Sequence, residues 1–366
     1  MSTISDDMLY LVLSLLISST LVYSILPVAI RIAIEKEMVA QVEERSSHTV
    51  ITPHVGGIAI AIAVYFTVLL LTPAGRWGTI QYLLAALMIT VCVGVKDDLQ
   101  PMRPYKKIIG LVAAIAIIVV RGGVRLESMY GLLGFTEAFP DWLSILVTIF
   151  TLLVITNAFN LIDGINGLLA TVSCIATATF GVWFFVVDMP NLSLMAMATA
   201  GGLMAFLRFN VTPAKTFMGD TGSLFIGLLI SIFTVKFIHA NATGIIPEGY
   251  GFNNPIAVVV AILIIPLFDT IRVFSTRIAR GRSPFQADRR HIHHLLIDYG
   301  YSHMQATAVL GLISLFFLST VFVLDAYLGE HQLIFLEVMA AVLLTYWLHR
   351  ASRRAVRMRS PNALLA

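Results

Sequence analysis

The chain has 366 residues, of which 58% are hydrophobic and only 12% are charged, and its mean hydropathy is +0.88. About a quarter of the residues of an ordinary soluble domain are charged, so this chain cannot cover a water-exposed surface of its size. The composition excludes soluble Rossmann or barrel enzymes and secreted disulfide scaffolds, and it predicts an all-α, polytopic transmembrane helix bundle. The net charge of +3 is uninformative as a sum, because the placement of charge matters more in a membrane protein.

Apolar runs that can each cross the hydrocarbon core as a helix recur along the whole chain. We count about eleven, at residues 8–29, 55–71, 80–95, 108–120, 143–157, 168–187, 192–207, 224–238, 256–271, 306–324 and 333–348. The fourth and fifth runs are short, so their ends are the least defined. Asp6 and Asp7 precede the first run in place of a basic segment, so we interpret it as a retained helix and not as a signal peptide.

Lys and Arg are retained on the cytoplasmic side of a membrane, so their distribution indicates the orientation. With the N-terminus outside, all but four of the 24 Lys and Arg fall in inner loops or in the C-terminal tail. The four exceptions are Arg76, Arg121, Arg125 and Lys236. We predict an outside N-terminus, a cytoplasmic C-terminus, one membrane domain over residues 1–350 and a basic cytoplasmic tail over 351–366.

Acidic residues on the predicted inner side lie at or just inside the ends of helices, whereas those on the outer side show no pattern. The inner acids are Asp97, Asp98, Asp163, Asp220 and Asp269. Ionisable groups at this depth are costly unless they face a cavity, a partner or a metal, which makes them functional candidates.

The segment VGVKDDLQPMRPYKK joins Asp97 and Asp98 to Lys106 and Lys107. Carboxylates are the ligands that Mg²⁺ or Mn²⁺ prefers, with substrate phosphates completing the shell, and lysines bind phosphate. A solvated loop with lysines retained by the positive-inside rule is the simpler alternative for this segment.

The segment NAFNLIDGINGLLA places Asn157, Asn160 and Asp163 at intervals of three, so one helical face carries two amides and a carboxylate. Gly164 and Gly167 then allow the backbone to turn or to approach a ligand closely. A helix cap alone does not need this many polar groups.

The segment RFNVTPAKTFMGDTGS presents Asp220 at the start of the next helix, with Asn210 and Phe217 upstream. The Phe is either an interfacial anchor or a stacking platform for a base. The earlier segment HTVITPHVGG is compatible with an ordinary entry from a loop into a helix.

The segment SPFQADRRHIHHLL holds His291, His293 and His294 behind Arg289. Such a group binds phosphate, binds metal or transfers protons. A zinc site is disfavoured because no cysteine is near and the surrounding acids suit a harder ion. Together, the inner segments suit phosphoryl transfer from a soluble charged donor to a lipid phosphate.

The ordered motifs TPHVGG, DDLQPMRPYKK, NAFNLIDGINGL, FNVTPAKTFMGDTGSL and SPFQADRRHIHHLL resemble the polyprenyl-phosphate N-acetylhexosamine-1-phosphate transferase family, over about residues 45–300. The family transfers a sugar-1-phosphate from a UDP-sugar to undecaprenyl phosphate with Mg²⁺ or Mn²⁺ and releases UMP. DRRHIHHLL is similar to the branch that uses UDP-N-acetylglucosamine and initiates O-antigen, enterobacterial common antigen or teichoic acid.

The resemblance also implies a bacterial inner membrane, an active site facing the cytoplasm and no nucleic acid polymer as partner, and it leaves a homodimer open. It implies roles for individual residues as follows. Asp220 is the principal metal ligand; Asp97 and Asp98 assist the metal or deprotonate the lipid phosphate; Asn160 and Asp163 line the cleft; His291, His293 and His294 serve catalysis and diphosphate binding; Asn166, Asn210, Phe217, Arg289 and Lys107 contact the nucleotide donor.

Asn166 stands where many members have a second Asp, so a carboxylate that contacts the base becomes an amide here. Another UDP-sugar, such as a UDP-N-acetylgalactosamine, a 6-deoxy-N-acetylhexosamine donor or a MurNAc-pentapeptide donor, is the alternative within this chemistry. A secondary transporter is the rival of a different class. Transporters place charges near the midplane and often contain inverted repeats, whereas these acids lie on one face and no repeat is visible.

Overall fold

The structure, a computed structural model, describes residues 2–36, 52–281, 283 and 291–359. The described residues form thirteen α-helices and no β-strand, only a single isolated bridge between Ser128 and Ala138. The helices are α1 (Ser2–Glu35), α2 (Gly56–Leu71), α3 (Ile80–Leu99), α4 (Pro104–Arg121), α5 (Asp141–Leu161), α6 (Leu168–Val186), α7 (Pro190–Asn210), α8 (Gly219–Thr243), α9 (Pro255–Ile262), α10 (Ile264–Ile278), α11 (Ile292–Tyr299), α12 (His303–Leu324) and α13 (Glu330–Arg359).

The predicted apolar runs coincide with these helices, apart from small differences at their ends. In the described part of the chain, eight helices are long and apolar enough to cross a membrane, and nine when α9 and α10 count as one. α2 is apolar but shorter. The prediction of a polytopic helical membrane protein is confirmed, while the count of eleven crossings and the orientation stay predictions.

The run at 256–271, predicted as one helix, is broken at Leu263, where α9 and α10 meet at a bend of 80°. Pro266 explains the position of the break. Its ring removes a backbone donor and clashes with the carbonyl four residues earlier, which belongs to Ile262. α10 therefore leaves the direction of α9 and carries Asp269 toward the segment that contains the histidines.

α8 is the central helix, and it contacts α2, α3, α5, α6, α7 and α9. Nearly all of its side chains are buried. Two glycines allow its neighbours to approach: a Cβ on Gly57 would lie 2.1 Å from the backbone nitrogen of Gly222, and a Cβ on Gly94 would lie 2.3 Å from Cα of Thr221. The N-terminus of α8 is thus clamped between α2 and α3.

The two ends of the bundle differ in composition. The motif end comprises residues 53–57, 97–107, 160–167, 210–223, 269–272 and 291–294, which contact one another in the pairs described below. The opposite end is fastened by other bonds: Nζ of Lys236 donates to the Gly123 carbonyl at 2.5 Å.

Asp325 and Glu330 anchor the start of α9 at the opposite end. The carboxylate of Asp325 accepts hydrogen bonds from the backbone N–H groups of Asn253 and Asn254 at 3.0 and 2.9 Å. Glu330 accepts from the N–H of Ala257. These two acids showed no pattern in the sequence, and they satisfy the free donors of a helix N-terminus.

α13 continues through residue 350, where the sequence places the start of the basic tail, as far as Arg359.

Candidate functional site

The centre of the motif end is an ammonium group shared between carboxylates from two helices. Nζ of Lys107 lies 2.6 Å from Oδ1 of Asp220 and 3.0 Å from Oδ2 of Asp97. Nδ2 of Asn160 donates to the same Asp220 oxygen and, at 2.8 Å, to Oγ of Ser223. Four predicted site residues, from α3, α4, α5 and α8, therefore meet at one point. Lys106, the neighbour of Lys107, is exposed.

Asp98 has a different environment from Asp97. Its Oδ1 accepts the backbone N–H of Asp220 at 2.7 Å, and its Oδ2 accepts the N–H and the hydroxyl of Thr221 at 2.9 and 2.6 Å. Free N–H groups and the helix dipole favour a carboxylate at a helix N-terminus. Asp98 thus caps α8 and holds Asp220 in place.

Gly219 permits this cap. Its φ is +74°, and a Cβ there would lie 2.8 Å from both carboxylate oxygens of Asp98. Only glycine combines that backbone conformation with the close approach of the carboxylate.

Asp163 lies in the loop between α5 and α6, half-buried beside the acidic centre. Burial, with smaller contributions from the charges of Asp220 and Asp98, raises the pKa of Asp163 to about 7. This carboxyl therefore changes its protonation state near neutral pH, unlike an exposed aspartate.

Asn166 and Asn210 are buried and join two loops of the motif end. Nδ2 of Asn166 donates to Oγ1 of Thr212 at 3.0 Å, and Oδ1 of Asn210 accepts the N–H of Gly167 at 2.7 Å. Nδ2 of Asn210 donates to the carbonyl of Thr216 at 2.8 Å. These bonds give both amides a loop-joining role that the sequence did not indicate, and their contact with a nucleotide stays a prediction.

The TPHVGG segment pairs with the TFMGD segment through their backbones. Phe217 N–H donates to the Pro53 carbonyl at 3.0 Å, and Gly56 N–H donates to the Phe217 carbonyl at 3.1 Å. The half-buried ring of Phe217 lies edge-on to His54, with centroids 5.6 Å apart. From the sequence alone, TPHVGG is compatible with an ordinary entry from a loop into a helix. Backbone hydrogen bonds between distant segments leave no local sequence pattern, so this pairing could not be predicted.

The histidines contact the loop that carries Asp163. A Cβ on Gly164 would lie 2.4 Å from Nε2 of His293. The rings of His291 and His293 stack with centroids 5.7 Å apart, and those of His293 and His294 lie 4.3 Å apart. Burial, reinforced by His294, lowers the pKa of His293 to about 3, so its imidazole is neutral at physiological pH. Arg289 lies outside the described residues.

The donor set at the centre suits a hard divalent cation. Mg²⁺ is usually bound through one or two carboxylates together with substrate phosphates, and Asp97 and Asp220 supply two carboxylates. No group of three or more His, Cys, Asp or Glu side chains that could hold a metal occurs among the described residues. The residues present fit an ion that shares its shell with a diphosphate better than one caged by protein alone.

Comparison with known proteins gives consistent matches. Residues 80–238 match the model of glycosyl transferase family 4. The chain is 30% identical over 326 residues to a Bacillus subtilis (strain 168) protein named probable undecaprenyl-phosphate N-acetylglucosaminyl 1-phosphate transferase, covering 88% of this chain and 87% of the relative. It is 30% identical over 338 residues to the undecaprenyl-phosphate alpha-N-acetylglucosaminyl 1-phosphate transferase of Yersinia pestis, covering 90% and 88%.

A third relative has a different lipid in its name. The decaprenyl-phosphate N-acetylglucosaminephosphotransferase of Mycolicibacterium smegmatis (strain ATCC 700084 / mc(2)155) is 31% identical over 316 residues, covering 80% of this chain and 77% of the relative. Similarity extends over most of each protein, and the family match at residues 80–238 spans α3, α4, α5 and most of α8, which meet around Lys107. The chain therefore belongs to the polyprenyl-phosphate N-acetylhexosamine-1-phosphate transferase family and is a membrane-embedded glycosyl-1-phosphate transferase.

Proposed function

We propose that the protein transfers N-acetylglucosamine-1-phosphate from UDP-N-acetylglucosamine to undecaprenyl phosphate and releases UMP. The observation that supports this most directly is the convergence of Asp97, Lys107, Asn160 and Asp220 at one end of a membrane bundle. A charged donor can reach that end from water, and a lipid phosphate can reach it from the bilayer. The names of the relatives supply the sugar and the lipid.

The motif end then faces the cytoplasm of a bacterial inner membrane, with the N-terminus on the outside. The concentration of Lys and Arg in the loops and tail of that end supports this orientation. The product starts a lipid-linked surface glycan of the O-antigen, enterobacterial common antigen or teichoic acid type.

The reaction is a single displacement at phosphorus. An oxygen of the lipid phosphate forms a bond to the β-phosphorus of the donor, the bond from that phosphorus to the bridging oxygen breaks, and UMP leaves with its electron pair. Catalysis of such a step consists mainly of positioning and charge neutralisation.

The residues divide these tasks. Asp97 accepts the proton of the lipid phosphate, because it faces Lys107 at the centre, whereas both oxygens of Asp98 are held by the N-terminus of α8. Lys107 neutralises diphosphate charge, and Asn160 orients Asp220. Asp220 and Asp97 would hold Mg²⁺ or Mn²⁺, which when bound supplies further neutralisation of the phosphates.

Purified protein with undecaprenyl phosphate, Mn²⁺ and a panel of UDP-sugars tests the proposal, with UMP release and lipid product both measured. We expect UDP-N-acetylglucosamine to give the highest kcat/KM. A higher value for another UDP-sugar would replace the donor, and the absence of UMP with every donor would reject the function. Flux of the same sugars into proteoliposomes without UMP release would favour a transporter.

Asp220→Asn should abolish UMP release at every Mg²⁺ concentration, because an amide cannot replace the negative charge in the cluster. Asp141→Asn is the matched control, since the Asp141 side chain is 95% exposed at the opposite end. Near wild-type turnover of Asp220→Asn would show that the metal assignment is wrong.

Incubation with radiolabelled donor in the absence of lipid tests the single displacement. We expect no label on the denatured protein. A sugar-phosphate adduct on an aspartate would establish a covalent intermediate in its place.

A further inference from the structure

Asp269 is the most completely enclosed carboxylate of the motif end, with 1% of its side chain exposed. Its Oδ2 lies 2.8 Å from Nδ1 of His291. Its Oδ1 accepts the N–H of Ile292 at 3.0 Å and a guanidinium N–H of Arg272 at 2.6 Å. A buried carboxylate is tolerated when its charge is paired and its lone pairs accept hydrogen bonds, and here they accept three.

These bonds join two parts of the chain that no local sequence pattern connects. Asp269 lies on α10, whose direction is set by the 80° bend after α9. His291 is the N-cap of α11, 22 residues further along the chain. The Ile292 N–H donates to the same carboxylate, so the backbone as well as the ring at the start of α11 is tied to α10.

The carboxylate also determines which ring nitrogen of His291 carries a proton. An ionised carboxylate only accepts hydrogen bonds, so Nδ1 must donate to Oδ2 of Asp269. The partner of one imidazole nitrogen fixes the tautomer and the ring orientation, and it thereby leaves Nε2 with a defined role.

The His291 ring is connected to the loop that carries Asp163 through His293. It stacks on His293, with only 5° between the ring planes, and His293 packs against Gly164, next to Asp163. A rotation of His291 would therefore disturb the histidine cluster and the loop that carries Asp163.

We infer that Asp269 is a positioning residue for phosphoryl transfer that acts through His291, by fixing the orientation of its ring and keeping the proton on Nδ1. Nε2 is then the nitrogen available to the diphosphate or to the departing UMP. The inference rests on the proposed function, because it assigns a positioning residue for that reaction.

The test is a double-mutant cycle on kcat with Asp269→Asn, His291→Ala and the double variant, in the UMP-release assay. The asparagine amide cannot accept a proton-bearing Nδ1 and a guanidinium together as the carboxylate does. We expect Asp269→Asn to lower kcat on the order of 10- to 100-fold, as for other residues that orient a functional histidine. The KM for the UDP-sugar should change little, and the double variant should be no slower than His291→Ala alone.

Asp325→Asn is the matched control, because it makes the same change in a buried carboxylate that accepts backbone N–H groups at the opposite end. Whatever its effect on kcat, that effect should multiply with the effect of His291→Ala. Thermal unfolding of each variant reports whether the fold is retained. If Asp269→Asn does not fold, the cycle is run with Asp269→Glu, whose longer side chain displaces the carboxylate, and its loss of kcat should likewise vanish in the His291→Ala background.

Multiplicative losses in the Asp269 and His291 cycle would overturn the inference, since they would show that Asp269 acts independently of His291. A His291→Ala variant with wild-type kcat would overturn it as well. The proposed function fails separately, when the wild-type protein releases no UMP with any UDP-sugar.

Discussion

Adjacent aspartates have separate roles in this site. Asp97 faces Lys107 and Asp98 faces the first turn of α8, because successive residues of a helix project about 100° apart around its axis. The paired acidic motif therefore supplies one carboxylate to the acidic centre around Lys107 and one to the turn that holds Asp220. The sequence predicted both carboxylates as site residues but contained no information on which of them faces α8.

Alanine variants of the two aspartates should differ in how much they lower the melting temperature. Asp98→Ala removes three hydrogen bonds to the start of α8, and bonds to charged groups contribute about 1.5–3 kcal/mol each. We expect a clear fall in the melting temperature together with loss of activity. Asp97→Ala should lose activity with a smaller change in melting temperature. Equal destabilisation of the two variants in thermal unfolding would contradict this division.

Asp163 should make the folded protein less stable as the pH rises toward neutrality. Its pKa is about 7 in the folded protein and near the ordinary value for aspartate in the unfolded chain. Between these values the folded state binds the extra proton, so the contribution of Asp163 to stability falls as pH rises toward 7.

Asp163→Asn should therefore raise the melting temperature of chelator-treated protein more at about pH 8.5 than at about pH 5.5. The wild-type protein, measured under both conditions, is the reference. An equal shift at the two pH values would show that the carboxyl does not titrate between them.

At the scale of helices, sequence reasoning placed most elements because apolar runs of membrane length leave few alternatives. It missed the break within residues 256–271, although Pro266 was visible, because a proline in an apolar run is compatible with a kink, a break or no change of direction. Neighbouring helices decide between these outcomes. The hydrogen bonds from Asp325 and Glu330 to the start of α9 could not be predicted either, because these acids lie about 70 residues from the groups that they cap.

Close packing of α2 on α8 depends on Gly57, and Gly57→Ala tests it. The new methyl group would collide with the backbone of Gly222, and overpacking of this kind costs about 1–3 kcal/mol. We expect a lower melting temperature and reduced turnover, because α8 carries Asp220. Gly75→Ala is the control, since a Cβ there meets nothing within 4 Å. Unchanged stability of Gly57→Ala would mean that the two helices can separate without consequence.

At the scale of the whole molecule, the two ends of the bundle differ in what their polar residues do. The motif end gathers the carboxylates, amides and histidines, while the opposite end fastens helices through groups such as Asp325 and Asn254, away from the acidic centre. The sequence indicated this asymmetry through the placement of its inner acids. It did not indicate the fastening at the opposite end, because those residues form a pattern only after folding.

Asp325→Ala should therefore lower the melting temperature and leave the kcat of the folded fraction close to that of the wild type. The change frees the N–H groups of Asn253 and Asn254 at the start of α9. Asn254 is buried, and a buried unsatisfied donor costs about 1–3 kcal/mol. Thermal unfolding with turnover normalised to folded protein measures both quantities. A large fall in normalised kcat would show that the opposite end controls the geometry of the motif end.

The bond between Asp269 and His291 has a consequence for biosynthesis. Asp97 and Lys107 emerge from the ribosome long before His291. The bent pair α9 and α10 must form before Asp269 can accept the hydrogen bond from the His291 ring. During translation, the early helices therefore present an acidic pocket that lacks its histidines. We therefore expect translation products that end before His291 to release no UMP, because they lack the residue that Asp269 positions.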